Sequence, residues 1–366
     1  MKLNNLKQQQ MKYIVKIVTL LLLIPSMMTA NNMDGKHTKT KTIKKEFTIN
    51  ENAEIYLNNK YGNIDIKTWD RNEVSIEIII TTNGNNESKV EERLENINVH
   101  FENSSQEVSA KTHFKKQNNS WNIFGRSSSV NMNVKYFVRM PISNNLTVNM
   151  DYGDVLLDEL QGKAEIDCDY GKIYIGKLLN DNNSINLDYS RGSTIDFIKN
   201  GKINIDYSTI DIEEAGNVDL NTDYSNTTFD KVNNLNFNSD YGSLIVNNAN
   251  KIVGNSDYVN LKFGNIKSTL IIVADYGNIK VDKMGENFNE VDLNTEYTGV
   301  KIGIDNNSSF ALISDSQYSG VSLPEGFNFT KQIEKNSKKY YEGTYNGSKG
   351  KITMKSQYGG IKIYKN

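Results

Sequence analysis

The sequence predicts an all-β protein, a parallel β-solenoid with rungs of about 18 residues. A short phrase, Asp-Tyr followed by Gly or Ser, recurs at this spacing, and such a period is typical of a repeat fold. Apolar and polar residues alternate on both sides of each tyrosine, which indicates β-strands. Proline is missing between Pro141 and Pro324, as stacked central strands require. A unit this short cannot bury its apolar face alone, so stacking in register is favoured over an antiparallel meander.

The start of the chain differs from the rest. Lys12 and Lys16 precede the apolar run IVTLLLLIPSMMTA, which ends at Ala30. A positive segment, a short apolar run and a small terminal residue are typical of a secretory signal peptide, so residues 1–30 are interpreted as one. An uncleaved membrane anchor is the alternative, although the run is short for a bilayer span. We therefore expect an exported chain, in the periplasm or at the cell surface or outside the cell, without a transmembrane segment after the leader.

Residues 31–144 are predicted to form an irregular N-terminal cap with the first β rungs. The copy around Tyr61 is an early rung, and EVSIEIIITT after it alternates as a long strand. SKVEERLENI, which starts at Ser88, predicts one short helix, and NVHFE, EVSAKTHF and SVNMNVKYFVRM predict three strands. The start of the mature chain, around His37, is expected to be flexible. Trp121 and Phe124 lie in an expected loop and could contact a ligand; folding back onto the cap core is the alternative.

Residues 145–323 are predicted to form the regular part of the solenoid. In KINIDYSTIDI, Ile203 and Ile205 share one side of the strand with Tyr207, and the apolar side changes after the tyrosine. This change needs a bend, which we place at the Gly or Ser after the tyrosine. The repeat corners are Asp151, Tyr152, Asp169, Tyr170, Asp188, Tyr189, Asp206, Tyr207, Asp223, Tyr224, Asp240, Tyr241, Asp257, Tyr258, Asp275 and Tyr276.

Residues 324–366 contain one further copy of the repeat. Tyr358 follows Tyr318 after a gap of 40 residues, which holds KKYYEGTYNGSKGKITMKS. We interpret this gap as a β-hairpin excursion, and the Tyr358 copy as the rung that closes the C-terminal end. A closing element is expected because open sheet ends aggregate.

The two recurring residues are expected to have different roles. The tyrosines should stack on those of neighbouring rungs, on the same side as the apolar residues. The aspartates face the other way and should accept hydrogen bonds from the corner backbone, with cation binding, for example of calcium, as the alternative. Cys168 takes the small inward position before Tyr170 and is interpreted as a core residue.

Composition excludes several classes of function. The net charge of -2 gives no electrostatic footprint for nucleic acid, and one cysteine cannot form an intramolecular disulfide. The three histidines are scattered, and no nucleophile or phosphate-binding motif is present. A two-histidine metal site formed by His100 and His113 is the less favoured interpretation of these two residues. We therefore predict no catalytic residues, no metal ligands and no cofactor.

Three parts of the chain resemble a known group of proteins. KYGNIDIKTWDRNEVSIEI, YFVRMPISNNLTVNMDYGDVLL and the tandem DYG rungs resemble the putative-adhesin families of β-strand-repeat cell-envelope proteins, which are common in Bacteroidota. The resemblance covers nearly the whole chain after the leader. It implies a right-handed, single-chain β-solenoid (right-handed β-helix) outside the cytoplasm, and it brings no catalytic or binding residues.

The sequence thus favours a non-catalytic adhesin-like or cell-envelope scaffold protein that presents an extended surface for binding. The expected partner is a glycan or an envelope protein. One alternative is a carbohydrate-active β-helix enzyme of the polysaccharide lyase or hydrolase type, and another is a self-assembling structural rod with self-association.

Overall fold

The computed structural model describes residues 35–115 and 130–366. In these ranges the chain forms 23 β-strands and one α-helix, which confirms the predicted all-β fold. No helix in the described part of the chain is long and apolar enough to cross a membrane. The chain divides into two compact units, Met1–Lys163 and Ala164–Asn366.

The first unit combines parallel and antiparallel strand pairs. Its elements are β1 (His37–Thr48), β2 (Glu54–Lys60), β3 (Ile64–Trp69), β4 (Glu73–Gly84), α1 (Glu87–Glu95), β5 (Ile97–Asn103), β6 (Glu107–Phe114), β7 (Asn131–Pro141), β8 (Asn145–Asp151) and β9 (Val155–Leu160). Strand β2 pairs in parallel with β6 and β8, and β3 pairs in parallel with β7 and β9. Strand β4 pairs antiparallel with β1 and β7, and β5 pairs antiparallel with β6.

The N-terminal part of this unit is more ordered than the sequence predicts. Residues around His37 belong to strand β1, which pairs with β4 along its whole length. Strand β4 alternates strictly, burying every second residue from Val74 to Ile80, and therefore offers β1 a regular partner. Helix α1 begins after Asn86, whose side chain accepts the Lys89 N–H at 3.0 Å. The prediction of a flexible start is therefore wrong for residues 37–48.

The second unit repeats one parallel pairing scheme. Its strands are β10 (Ala164–Asp169), β11 (Ile173–Leu178), β12 (Asn183–Asp188), β13 (Arg191–Asp206), β14 (Thr209–Asp275), β15 (Asn278–Met284), β16 (Glu290–Glu296), β17 (Gly299–Ile304), β18 (Phe310–Gln317), β19 (Val321–Ser322), β20 (Asn328–Lys335), β21 (Lys338–Tyr345), β22 (Gly350–Gln357) and β23 (Ile361–Lys365). The part of a rung before its tyrosine pairs with the same part of the next rung, as in β10–β12 and β12–β13. The part after the tyrosine does the same, as in β11–β13.

The register of the parallel strand pairs places residues of the same type opposite each other in the core. Ile166 lies opposite Ile185, which lies opposite Ile203, and all three are buried. Cys168, opposite Leu187, is also buried. Strand β14 runs through three tyrosine corners without interruption, which is why it spans 67 residues.

The C-terminal strands do not follow sequence order. Strand β22 pairs in parallel with both β16 and β18, and β23 pairs in parallel with both β17 and β19. Strand β21 returns antiparallel to β18, and β20 pairs antiparallel with β21. The last copy of the repeat is therefore inserted before the preceding copy and does not close the end. Because these hairpin strands and several strand pairs of the first unit are antiparallel, the sheet is mixed. A parallel β-solenoid over the whole chain therefore stays a proposal.

Candidate functional site

Ten tyrosines of the second unit stack in one continuous row. Neighbouring ring centroids lie 4.7–5.1 Å apart, with interplanar angles of 7° or less. This distance matches the spacing of hydrogen-bonded strands, which sets it. We call this row the tyrosine ridge; in spatial order it is Tyr170, Tyr189, Tyr207, Tyr224, Tyr241, Tyr258, Tyr276, Tyr297, Tyr358 and Tyr318.

The tyrosine itself makes the bend at each corner. Every ridge tyrosine has a φ between 47° and 57°, in the left-handed region that side-chain-bearing residues rarely adopt. The backbone turn therefore lies one residue earlier than the Gly or Ser at which the sequence places it. A left-handed residue also turns its side chain out of the strand's alternation. For this reason the rings are 42–57% exposed, and the expectation that they share the apolar side is wrong.

Stacking alone does not stabilise this backbone conformation. A left-handed non-glycine residue costs about 1–3 kcal/mol, whereas a stacked aromatic pair contributes about 0.5–1.5 kcal/mol. Backbone hydrogen bonds supply a further contribution, since the Tyr189 N–H donates to the Asp206 carbonyl at 3.0 Å and the Tyr207 N–H to the Asp223 carbonyl at 3.0 Å.

A row of hydroxyl groups holds the corners from inside. The Ser208 Oγ accepts the N–H of Ser190 at 2.9 Å and lies 2.7 Å from the Asp206 carbonyl. The Ser225 Oγ in turn accepts the Ser208 N–H at 3.0 Å. Thr298 repeats the arrangement, with its Oγ1 3.1 Å from the Gly277 nitrogen. We did not predict this hydroxyl ladder, although its signal, a Ser or Thr directly after the tyrosine, is visible in the sequence.

The aspartates form an outer row beside the ridge. Asp169, Asp188, Asp206 and Asp223 lie opposite one another in register. Burial, and next the charges of Asp188 and Asp223, raise the pKa of the Asp206 carboxyl, while a backbone hydrogen bond from Asp223 acts in the other direction. The pKa of Asp240 is raised by burial and by the charges of its two neighbours in the row.

Their expected role as corner caps receives limited support. Asp206 has that one backbone hydrogen bond, whereas the Oδ1 atom of Asp223 is buried without a hydrogen-bond partner. Within residues 35–115 and 130–366, no three His, Cys, Asp or Glu side chains are grouped to hold a metal ion. Glu296 keeps the negative charge at the aspartate position, whereas Gln317 and Gln357 make the last two copies neutral there.

The phenol groups of the ridge also affect one another. Burial, followed by the charges of adjacent tyrosines and acidic residues, raises the pKa of Tyr241 and of Tyr276. Tyr241 and Tyr276 are therefore neutral hydrogen-bond donors at physiological pH. Tyr170 aside, the hydroxyl groups of the nine other ridge tyrosines have no hydrogen-bond partner among residues 35–115 and 130–366.

The first unit contains a short counterpart of the ridge. Tyr61 stacks on Tyr152 with centroids 5.3 Å apart, and Phe114 contacts Tyr61 edge-on at 5.7 Å. Here the residue before Tyr61 is Lys60, whose ammonium group forms an ion pair with Asp151. The hydrogen bond between the Lys60 ammonium group and the Asp151 carboxylate is the main cause of the raised pKa of Lys60.

Two pairs of sequence-predicted positions remain, Trp121 with Phe124 and His100 with His113. Trp121 and Phe124, like the leader, lie outside the described residues. His100 and His113 lie on paired strands with ring centroids 6.2 Å apart, and the Nε2 of His100 is 3.2 Å from a carboxylate oxygen of Glu102. These rings are exposed.

The chain matches several solved structures at low identity and low TM-score. One, described as a putative cell adhesion protein from Clostridium sporogenes, has 13% identity and a TM-score of 0.19, over 90% of this chain and 100% of its own. Another, a putative adhesin from Bacteroides fragilis, has 11% identity and a TM-score of 0.30, over 89% and 97%. A third, from Parabacteroides distasonis, is described as a putative lipid binding protein and has 11% identity and a TM-score of 0.33, over 89% and 96%.

These neighbours are in keeping with the resemblance to the putative-adhesin families. No family model matches the chain, and no curated protein matches it. At such identities and TM-scores the likeness assigns no function.

Proposed function

We propose that the chain is a non-catalytic, adhesin-like or cell-envelope scaffold protein that binds its partner along the tyrosine ridge. In this proposal the rungs form an extended right-handed β-solenoid, and the chain is exported to the periplasm or the cell surface. The partner is a glycan or an envelope protein. One observation carries the proposal, the row of ten half-exposed stacked tyrosines.

The chemistry of the ridge suits an elongated partner. Stacking covers the ring faces, so ring edges and hydroxyl groups point outward. Tyrosine offers rigid apolar area and a polar tip together, which is why it is enriched where proteins bind partners. Contiguous exposed apolar surface is uncommon on proteins unless it serves an interaction. The adjacent Asp row adds acceptors for the hydroxyl groups of a sugar or the N–H groups of a peptide.

A binding experiment with a ridge variant tests the proposal. The chain from residue 31 is screened against a glycan array and against cell-envelope extracts. The variant replaces Tyr224, Tyr241 and Tyr258 by Asn, which tolerates the left-handed conformation and so preserves the corner. Tyr174→Asn is the matched control, because Tyr174 is 38% exposed but lies outside the ridge.

We expect binding that is lost in the ridge variant and kept in the control. A second control lacks residues 116–129, which contain Trp121 and Phe124. Binding lost only with this segment would place the contact there and contradict the ridge as the binding surface. Absence of any retained glycan or envelope component would contradict the binding role itself.

A further inference from the structure

Four lysines lie side by side on consecutive strands of the second unit. Parallel pairing sets Lys262 opposite Lys280, Lys280 opposite Lys301, and Lys301 opposite Lys362. All four side chains are exposed. We call this row the lysine ladder. Because paired strands lie about 4.8 Å apart, it places four positive charges along roughly 14 Å.

The lysine ladder is electrostatically unfavourable in the free protein. Like charges directly opposite each other on neighbouring strands destabilise a sheet. Lys280 is compensated, since its Nζ lies 2.7 Å from the Oδ1 of Asp282. Over the described ranges of the chain, the other three lysines of the ladder form no ion pair with an acidic side chain. The ladder therefore keeps an excess of positive charge that a negatively charged ligand would neutralise.

A cleft of about 700 Å³ opens beside the ladder. Three ladder lysines line it, and Lys339 of strand β21 contributes a fourth ammonium group. Among the described residues that line the cleft, none is acidic. The cleft thus offers a solvent-open, positively charged space at one end of the ladder.

Three glycines form the floor of this cleft. Gly299 lies opposite Asn278, and Gly360 and Gly320 take the same position on the next two strands. Neither Gly320 nor Gly360 has a left-handed backbone. A Cβ at Gly320 would meet nothing within 4 Å, and a Cβ at Gly360 would come no closer than 3.9 Å to another atom.

Packing therefore does not require glycine at these two positions. Gly303 on strand β17 shows the contrast, since a Cβ there would lie 1.9 Å from the Asp282 carbonyl oxygen. Because Gly320 and Gly360 have no side chains, the floor between the lysines is open and flat. A side chain such as that of Asn278 in the same row would occupy this space.

We propose that the lysine ladder and its glycine-floored cleft bind an anionic polysaccharide with one carboxylate per sugar ring. A ring in an extended uronate chain advances by a distance close to the strand spacing, so successive carboxylates can meet successive lysines. The flat floor accommodates the ring, and the lysines pair with the carboxylates. This inference rests on the proposed binding role but uses a row of side chains different from the tyrosine ridge.

Titration calorimetry with galacturonic acid and oligogalacturonates of increasing length tests the inference. We expect affinity to rise with length up to about four sugars, because the ladder holds four lysines. It should fall as sodium chloride is added, since salt screens exposed charges. Polyphosphate of matched charge and neutral dextran are the comparison ligands. Preference for polyphosphate, or equal binding of dextran, would overturn the assignment to a uronate chain.

Two sets of variants locate the site. Lys301→Gln with Lys362→Gln should weaken oligogalacturonate binding about tenfold, whereas Lys251→Gln, an exposed lysine outside the ladder, should not. Gly320→Asn with Gly360→Asn should fill the floor and weaken binding while the melting temperature stays unchanged.

The possible outcomes separate this inference from the proposed function. Equal affinities in all variants, or no oligogalacturonate binding, would overturn the inference. If envelope binding through the tyrosine ridge persisted in that case, the proposed function would stand.

Discussion

Tyr358 stacks on Tyr297 with ring centroids 4.8 Å apart, although Tyr318 is the next repeat tyrosine in the sequence. Tyr358 also stacks on Tyr318 at 4.9 Å, so its rung lies between the other two. The last strands of the chain are thus internal to the second unit.

This insertion predicts a large effect of C-terminal truncation. Removing residues 346–366 deletes β22 and β23, and β18 and β19 then lose their parallel partners. We expect amide hydrogen exchange to increase sharply in Phe310–Tyr345, beyond the deleted strands. Shortening β20, an exposed edge strand, is the control and should leave Phe310–Gln317 protected. Unchanged exchange in Phe310–Tyr345 after the truncation would mean that β22 is not inserted.

The left-handed conformation at each corner predicts that the type of residue at the tyrosine position affects stability more than the loss of the aromatic ring does. Tyr241→Val and Tyr241→Asn both remove two stacking contacts. Valine tolerates a positive φ poorly and asparagine tolerates it well. Tyr241→Val should therefore be less stable than Tyr241→Asn by about 1–2 kcal/mol in urea unfolding. Equal stability of the two variants would show that Tyr241 does not adopt the left-handed conformation.

The hydroxyl ladder makes a buried serine important for stability. Ser208→Ala leaves the Ser190 N–H, which now donates to Ser208 Oγ at 2.9 Å, without an acceptor in a buried place. The free energy of unfolding should fall by about 1–3 kcal/mol. Ser243→Ala, which removes a more exposed hydroxyl bonded to Asn226, is the control and should change it by less than about 0.5 kcal/mol. A Ser208→Ala variant as stable as this control would show that the hydroxyl ladder does not stabilise the protein.

The Asp row predicts a pH dependence with a definite sign. Because the pKa of Asp206 is raised in the folded state, the folded protein binds more protons than the unfolded chain between the ordinary and the raised pKa. Stability should therefore decrease as pH rises through that window. Asp206→Asn removes the repulsion, so it should stabilise the protein at neutral pH, by up to about 1 kcal/mol, and flatten this decrease. A destabilised Asp206→Asn variant would instead favour the aspartate as a corner cap.

The sequence predicts the repeat well because its period and alternation are local. The apolar positions, the approximate rung length and the stacking of the tyrosines follow from residues such as Ile203, Ile205 and Tyr207. The left-handed tyrosine does not follow, because tyrosine has no intrinsic preference for positive φ. Ring stacking and backbone hydrogen bonds between neighbouring rungs together stabilise it. The insertion of the Tyr358 rung depends on long-range pairing, which no local pattern specifies.

The site is less predictable than the fold. The Asp-Tyr corners are visible as a motif, but the exposure of the rings depends on the backbone turn at Tyr itself. The lysine ladder is hidden in the sequence, since Lys301 and Lys362 are far apart in the chain and meet only through the inserted strand. Strand order therefore had to be known before these residues could be grouped.

Footprinting of the ridge tests the central claim, that the tyrosine ridge is the binding surface, most directly. Tyrosine iodination of the chain, read by mass spectrometry, is compared with and without a cell-envelope extract that the chain retains. We predict protection of consecutive ridge tyrosines, such as Tyr224, Tyr241 and Tyr258, and unchanged labelling of Tyr174. Ridge tyrosines that stay as reactive in the complex as in the free chain would contradict the account.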